Sequence, residues 1–266
     1  MADTDYLVRR RVLLALPAVA WSLNAGTASA QARSARAPLQ FWGLFSMLGD
    51  TLDVTSSDAP VASRLDRTSR QVLEVKGVGF DRVVAQAVKQ ELLQKRPNAE
   101  LKMFGTSAAL GAPDQRLIAD GATNGALPGW IIDTIKQQQL SHVILVTRDR
   151  AMGSAQTARQ DTIGRYELEG VGLHMDMDYS VLNVQTDRVT VGALIPHVIV
   201  RLTLFDVENA RVQRTALINE QWLVAPDEGK GHEGPWAALS HEAKLKALHD
   251  GLRAGLRKAV PELLGP

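Results

Sequence analysis

Apolar positions along this chain change their spacing several times, and each spacing predicts an element. Leu39–Leu48 is almost continuously apolar and predicts a strand, followed by a Gly49-Asp50 turn and a short strand at Leu52–Val54. The polar stretch Thr55–Arg70, which contains Pro60, predicts an irregular excursion. Phe80, Val84, Ala87, Val88 and Leu92 recur at helical intervals, so Phe80–Leu93 predicts an amphipathic helix with Pro97 marking its exit. Glu100–Gly105 predicts a strand, and the Gly- and Ala-rich Gly105–Gly129 a long loop with room for one short helix. In Trp130–Gln139 the apolar face is Trp130, Ile131, Ile132 and Ile135. Val143–Val146, a short continuous apolar run, suits the centre of a sheet covered by helices.

The second half turns to period two. From Val171 to Tyr179 the odd positions are apolar and the even ones polar or Gly, which predicts a half-buried strand with one solvated face. His197–Phe205 and Val212–Val224 flank Asp206–Arg211, where Glu208-Asn209 makes the turn of a long antiparallel hairpin. Pro226 ends that hairpin, and Asp227–Pro235 is a polar, Gly-rich loop anchored by Trp236. A final helix over Leu239–Val260 has Ser240 as its cap, Leu245, Leu248, Leu252, Leu256 and Ala259 as its apolar face, and Pro261 as its stop. The order predicts an α/β (α+β) fold: a mixed sheet with a long C-terminal antiparallel hairpin and packing helices in two or three layers. It reads as one domain over 39–260 with a tail at 261–266.

The first thirty residues follow a different logic. Arg9–Arg11 precede the apolar run Val12–Leu23, and Ala28-Ser29-Ala30 supplies small residues for cleavage before Gln31. Basic, apolar and small-residue regions in that order describe a secretory signal peptide over 1–30, with 31–38 as a tether. Arg10-Arg11-Val12-Leu13-Leu14 resembles a twin-arginine signal. The expected location is the bacterial periplasm or the medium, and no later apolar run is long enough for a membrane span.

Composition narrows the chemistry. The 266 residues are 45% hydrophobic, enough for a real core. With 30 basic and 29 acidic residues there is no electrostatic case for a nucleic-acid partner. Zero cysteines exclude disulfides, thiolate zinc sites, cysteine nucleophiles and the acylation that would give a lipid anchor. His-Glu-x-x-His, the phosphate-binding Gly-rich loop and Gly-x-Ser-x-Gly are all missing, and Gly77-Val78-Gly79 lacks the rest of a dinucleotide fingerprint. No cofactor is expected.

Gly49-Asp50-Thr51-Leu52 resembles the first block of the GDSL or SGNH hydrolases, with Thr51 where that family has its nucleophilic serine. The resemblance implies an esterase-like activity in which Thr51 is the catalytic residue and a base lies beside it. This chain has no late Asp-x-x-His, and its antiparallel second half differs from that family's serial parallel sheet. His174, Asp176 and Asp178 share a strand face at intervals of about 7 Å. They are either a divalent-metal site, imidazole with two carboxylates, or a solvated face. Arg148, Asp149 and Arg150 close the Val143–Thr147 strand, at a ligand crevice or as paired charges. Asp227, Glu228, His232 and Glu233 make the Gly-rich loop a candidate partner-binding site.

Over 39–260 the element order resembles small periplasmic modules of the TolB N-terminal or CsgG-like type. That resemblance implies a non-catalytic role in binding or envelope assembly, with an envelope protein as partner, engaged through the loop or by strand addition at a sheet edge.

Overall fold

The computed structural model describes residues 40–57, 68–75, 77, 79–105, 110–156, 162–183, 188–224 and 234–265. Strands β1 (Gln40–Ser46), β2 (Thr51–Ser57) and β3 (Thr68–Glu74) precede helix α1 (Phe80–Lys95). Next come β4 (Ala99–Phe104), α2 (Ala112–Thr123), α3 (Gly129–Gln138), β5 (His142–Arg148) and β6 (Arg150–Gln156). The long strands β7 (Thr162–Asn183) and β8 (Arg188–Asp206) follow, then β9 (Arg211–Gln221) and α4 (His241–Leu264). This is the mixed α/β fold that the period changes predict.

The longest strands organise the sheet. β8 pairs antiparallel with β7 over its first part and with β5 over its last, with Ile199 opposite Gly170 and Val200 opposite Arg148. β5 and β7 therefore occupy the same side of β8, one beyond the other. The next rank repeats the arrangement: β1 lies parallel to β5, and β2 lies parallel to β7. β4 flanks β1 in parallel, β3 flanks β2 antiparallel, and β9 pairs with the far side of β8. Two ranks of strands thus change hands at one level, Leu48–Thr51 in one and Arg148–Gly170 in the other.

Helices cover both faces at the β1–β5 end. Leu44, Ile144, Val146, Val200 and Leu202 face α1 and α4, whose Val84, Val88, Leu252 and Leu256 are fully buried. Phe45, Val143, Leu145 and Phe205 face Ile118 of α2 and Ile131 and Ile135 of α3. Both faces of a central strand are then apolar, which accounts for the unbroken run at Val143–Val146. Each such side chain contributes roughly 1.5–3 kcal/mol through burial.

Several expectations are corrected. Thr55–Arg70 is not irregular throughout, because β2 continues to Ser57 and β3 begins at Thr68. Gly105–Gly129 holds a twelve-residue helix, started by Pro113 in its first turn and by Gly111 as an extended cap. In α3 Ile131 and Ile135 are buried, whereas Trp130 and Ile132 are exposed, because one narrow stripe meets the sheet. Pro261 does not stop α4: the helix runs to Leu264, and Leu263 and Leu264 are buried. Ser240 is its cap, as expected, accepting from the Ala243 N–H at 3.2 Å. The turn after β8 falls at 207–210, with Asp206 accepting from Asn209.

Candidate functional site

The level at which the strand ranks change hands is held by one buried side chain. Breaking a ladder between β1 and β2 leaves carbonyls without strand partners, and an unpaired buried carbonyl is costly. Arg148, 4% exposed, reaches into that gap. Its Nη2 donates to Leu48 O and Thr51 O, each at 2.7 Å, and to Thr51 Oγ1 at 2.5 Å. Its Nη1 donates to Asp53 Oδ2 at 2.8 Å. Gly170, at φ 67°, keeps the space clear, since a Cβ there would lie 2.9 Å from Arg148 Cδ. Gln115 of α2, also buried, accepts the Arg148 N–H at 2.9 Å.

Other charges close around this centre. Asp53 Oδ1 accepts from Arg70 Nε and Nη2 at 3.0 and 2.9 Å. Glu169 pairs with Arg70, Arg116 and Arg150. Asp149 Oδ2 accepts from Arg201 Nε at 2.7 Å, and Arg201 continues to Asp120 at 3.0 Å. Burial pulls the Arg148 guanidinium below its ordinary range, opposed by the charge and hydrogen bond of Asp53. Each arginine of the cluster meets a carboxylate. The cluster therefore offers a ligand no unpaired charge.

Below the junction, β7 and β8 each carry one histidine into the interior, His174 and His197. The N-terminal part of β7 leaves the main sheet beyond Gly170, pairs with β6, and folds over the face carried by its own C-terminal part. Tyr166 stacks on His174, ring centroids 4.2 Å apart, and Leu168 packs with Ile195 and Ile199. The solvated face expected for His174 and Asp176 is thus a buried one, with His174 fully covered and Asp176 6% exposed. Thr55 Oγ1 lies 2.8 Å from His174 Nδ1. His197 of β8 sits beside them, and Gly172 makes room for it: a Cβ there would meet Asp53 O at 2.1 Å and His197 Nε2 at 2.9 Å. Burial lowers both histidines to about 4, with Asp176 opposing the shift at His174 and His174 adding to it at His197. His197 Nε2 has no hydrogen-bond partner among the described residues.

The turn that carries Thr51 is fixed from the other side. Asp81, in the first turn of α1, accepts from the Leu48 and Gly49 N–H groups at 3.1 and 3.2 Å and from Ser46 Oγ at 2.5 Å. Burial raises its carboxyl, and those hydrogen bonds oppose the shift. Gly79, in left-handed conformation at the helix start, donates to Asp50 Oδ1 at 3.0 Å.

Thr51 is therefore a partly buried acceptor beneath a guanidinium, with Arg148 where the GDSL resemblance implies a base. His174 and Asp176 are brought together beneath Tyr166, but among the described residues no three His, Asp or Glu side chains converge on a metal position. Asp178 lies on β7, and its side chain is outside the description; Asp227, Glu228, His232 and Glu233 lie outside the described residues. Arg148, Asp149 and Arg150 span the step from β5 to β6 as paired charges. Asp53, Arg70, Arg116, Glu169 and Arg201 went unrecognised in the sequence. Asp53 carried a signal, an acid between two apolar strand residues in Leu52-Asp53-Val54.

No family model matches this chain, and no curated protein does. Among solved structures it is similar to a protein from Xanthomonas campestris of family DUF330, at 7% identity and TM-score 0.36, covering 85% of this chain and 87% of that one. A neuraminyllactose-binding hemagglutinin homologue from Helicobacter pylori gives 7% and 0.35 over 85% and 84%. A hypothetical protein from Chlamydia trachomatis gives 8% and 0.21 over 82% and 99%. Likeness at this level carries no functional argument.

Proposed function

We propose that the protein is an exported, periplasmic, non-catalytic binding protein of the bacterial envelope. The observation that carries this reading is the closure of the junction: Arg148 engages Thr51, Asp53 and the strand-break carbonyls together, so that Thr51 meets a guanidinium in place of a base. A junction whose polar groups are spent on architecture leaves recognition to the surface. The signal-like segment 1–30 and the resemblance of the element order to TolB N-terminal and CsgG-like modules support the same reading.

In this reading the envelope partner adds a segment along the outer side of β4, which pairs only with β1 among the described residues. Met103 is 57% exposed on that strand, and its neighbour Phe104 stacks on Phe45 beside half-exposed Trp130. The test places a photo-crosslinking amino acid at Met103 in the full chain expressed in cells. Expected are a processed N-terminus at Gln31, release by osmotic shock, and one discrete crosslink to an envelope protein. Turnover on a panel of short-chain esters that disappears in T51A would establish the hydrolase reading instead.

A further inference from the structure

β9 forms an open edge whose sequence is complementary to itself. Its register against β8 is uninterrupted from Arg214 to Gln221, pairing Arg214 with Leu204 and Gln221 with His197. Beyond it, Val224 and Leu194 exchange both backbone hydrogen bonds, and Trp222 N–H donates to Pro196 O. Hydrogen-bonding direction alternates along an antiparallel strand. The even residues Arg214, Ala216, Ile218 and Glu220 therefore turn their peptide groups toward β8. Thr215, Leu217 and Asn219 turn theirs outward, where no described strand receives them.

Side chains alternate as well. Ala216 and Ile218 are buried beneath α4, which approaches so closely that a Cβ on Gly255 would lie 2.3 Å from Ile218 Cγ2. Arg214 and Glu220 share that face at either end, and Leu217, 51% exposed, stands on the other. An exposed regular edge of this kind is normally blunted by charge or distortion. The bulge of β9 lies outside this run, next to Val212, and the run's two charges are opposite in sign.

We propose that two copies of this chain join β9 to β9 about a twofold axis through Leu217, making one continuous sheet across the dimer. An isologous contact must be self-complementary, and this register is. Leu217 meets its own copy in a hydrogen-bonded pair, and Thr215 meets Asn219 in the next one. In the non-hydrogen-bonded pairs, where side chains approach most closely, Ala216 faces Ile218 next to the axis and Arg214 faces Glu220 beyond the Thr215–Asn219 pair, on both sides. No like charges oppose each other. Glu220 already pairs with Lys258 of α4 at 2.7 Å, so the new contact extends an existing ion pair. This inference is independent of the envelope-binding reading and uses a different edge.

Sedimentation equilibrium of the full chain at about 100 µM should give twice the 28.9 kDa chain mass. R214E or E220R alone should weaken association at least tenfold, and the double variant R214E/E220R should restore it. Circular dichroism melting verifies that each is folded. Because the native chain has no cysteine, L217C supplies the single thiol. Its Cα lies about 5.5 Å from its copy in such a pair, within disulfide range, whereas T215C lies too far from its own. Oxidised L217C should run as a covalent dimer and T215C should not. A monomeric native chain, a double swap no better than the singles, or equal crosslinking of T215C and L217C would overturn the proposal.

Discussion

The two ends of the sheet are built on opposite principles. At the β1–β5 end, apolar side chains leave both faces and meet helices, so Ile144 and Leu145 are equally inaccessible on opposite sides. At the β2–β7 end one face is apolar and belongs to the same buried cluster as the helices, while the other carries Asp53, Thr55, His174 and His197 and is covered by a strand of the same sheet. The first end is held by close apolar packing, which has no preferred direction of approach. The second depends on hydrogen bonds and paired charges, which require particular partners and angles. Arg148 is the point where the two meet.

If that contrast is right, removing Arg148 should be the most damaging single change. R148A leaves Asp53 to Arg70 alone and leaves two carbonyls in the interior without their donor, and breaking a buried pair costs about 3–5 kcal/mol. Urea denaturation should show it, whereas loss of under 1 kcal/mol would mean that the strand break is held by packing. L145A, in the helix-covered end, should cost roughly 2–5 kcal/mol with no change in pH dependence.

The histidines sharpen the same contrast through pH. His174 and His197 are lowered to about 4 from an ordinary value near 6.5, so the unfolded chain binds more protons between those values. Their contribution is unaffected above pH 6.5 and falls as acid is added, levelling off below about 4. Each group accounts for up to roughly 3 kcal/mol, at 1.36 kcal/mol per pK unit. H174Q and H197Q should flatten the stability–pH curve over that window, while L145A should leave its slope intact. T51V should cost about 1–2 kcal/mol through the lost Arg148 contact. S240A, which touches neither Arg148 nor the buried histidines, should cost about 1 kcal/mol as a lost helix cap. Equal losses for T51V and R148A would place the weight of the junction on the hydroxyl.

How much of this was legible follows the same division. Val143–Val146, the Phe80 helix and the C-terminal hairpin could be read because their burial is decided by local spacing. The polar face of β7 was misread, because the same alternation describes a wet face and a covered one. What covers it is the strand's own first half, turned back beyond Gly170, and nothing at 171–179 encodes that. The candidate site was harder still. Thr51, Asp53, Arg70, Arg148 and Glu169 are scattered over more than a hundred positions, and only the handover between strand ranks brings them together. The acid between apolar neighbours at Asp53 was the available hint.

The pairing of β2 with β7 has a consequence in time. Asp53 waits for Gly172, and α1 cannot cover its apolar stripe until α4, the last helix of the chain, has arrived. A chain emerging from its amino end therefore carries Phe80, Val84, Val88 and Leu92 without their final cover until almost all of it has appeared. Contacts so far apart in sequence make folding slow and the unfinished chain prone to aggregate. The order of strands thus keeps that stripe uncovered until the residues of α4 are free.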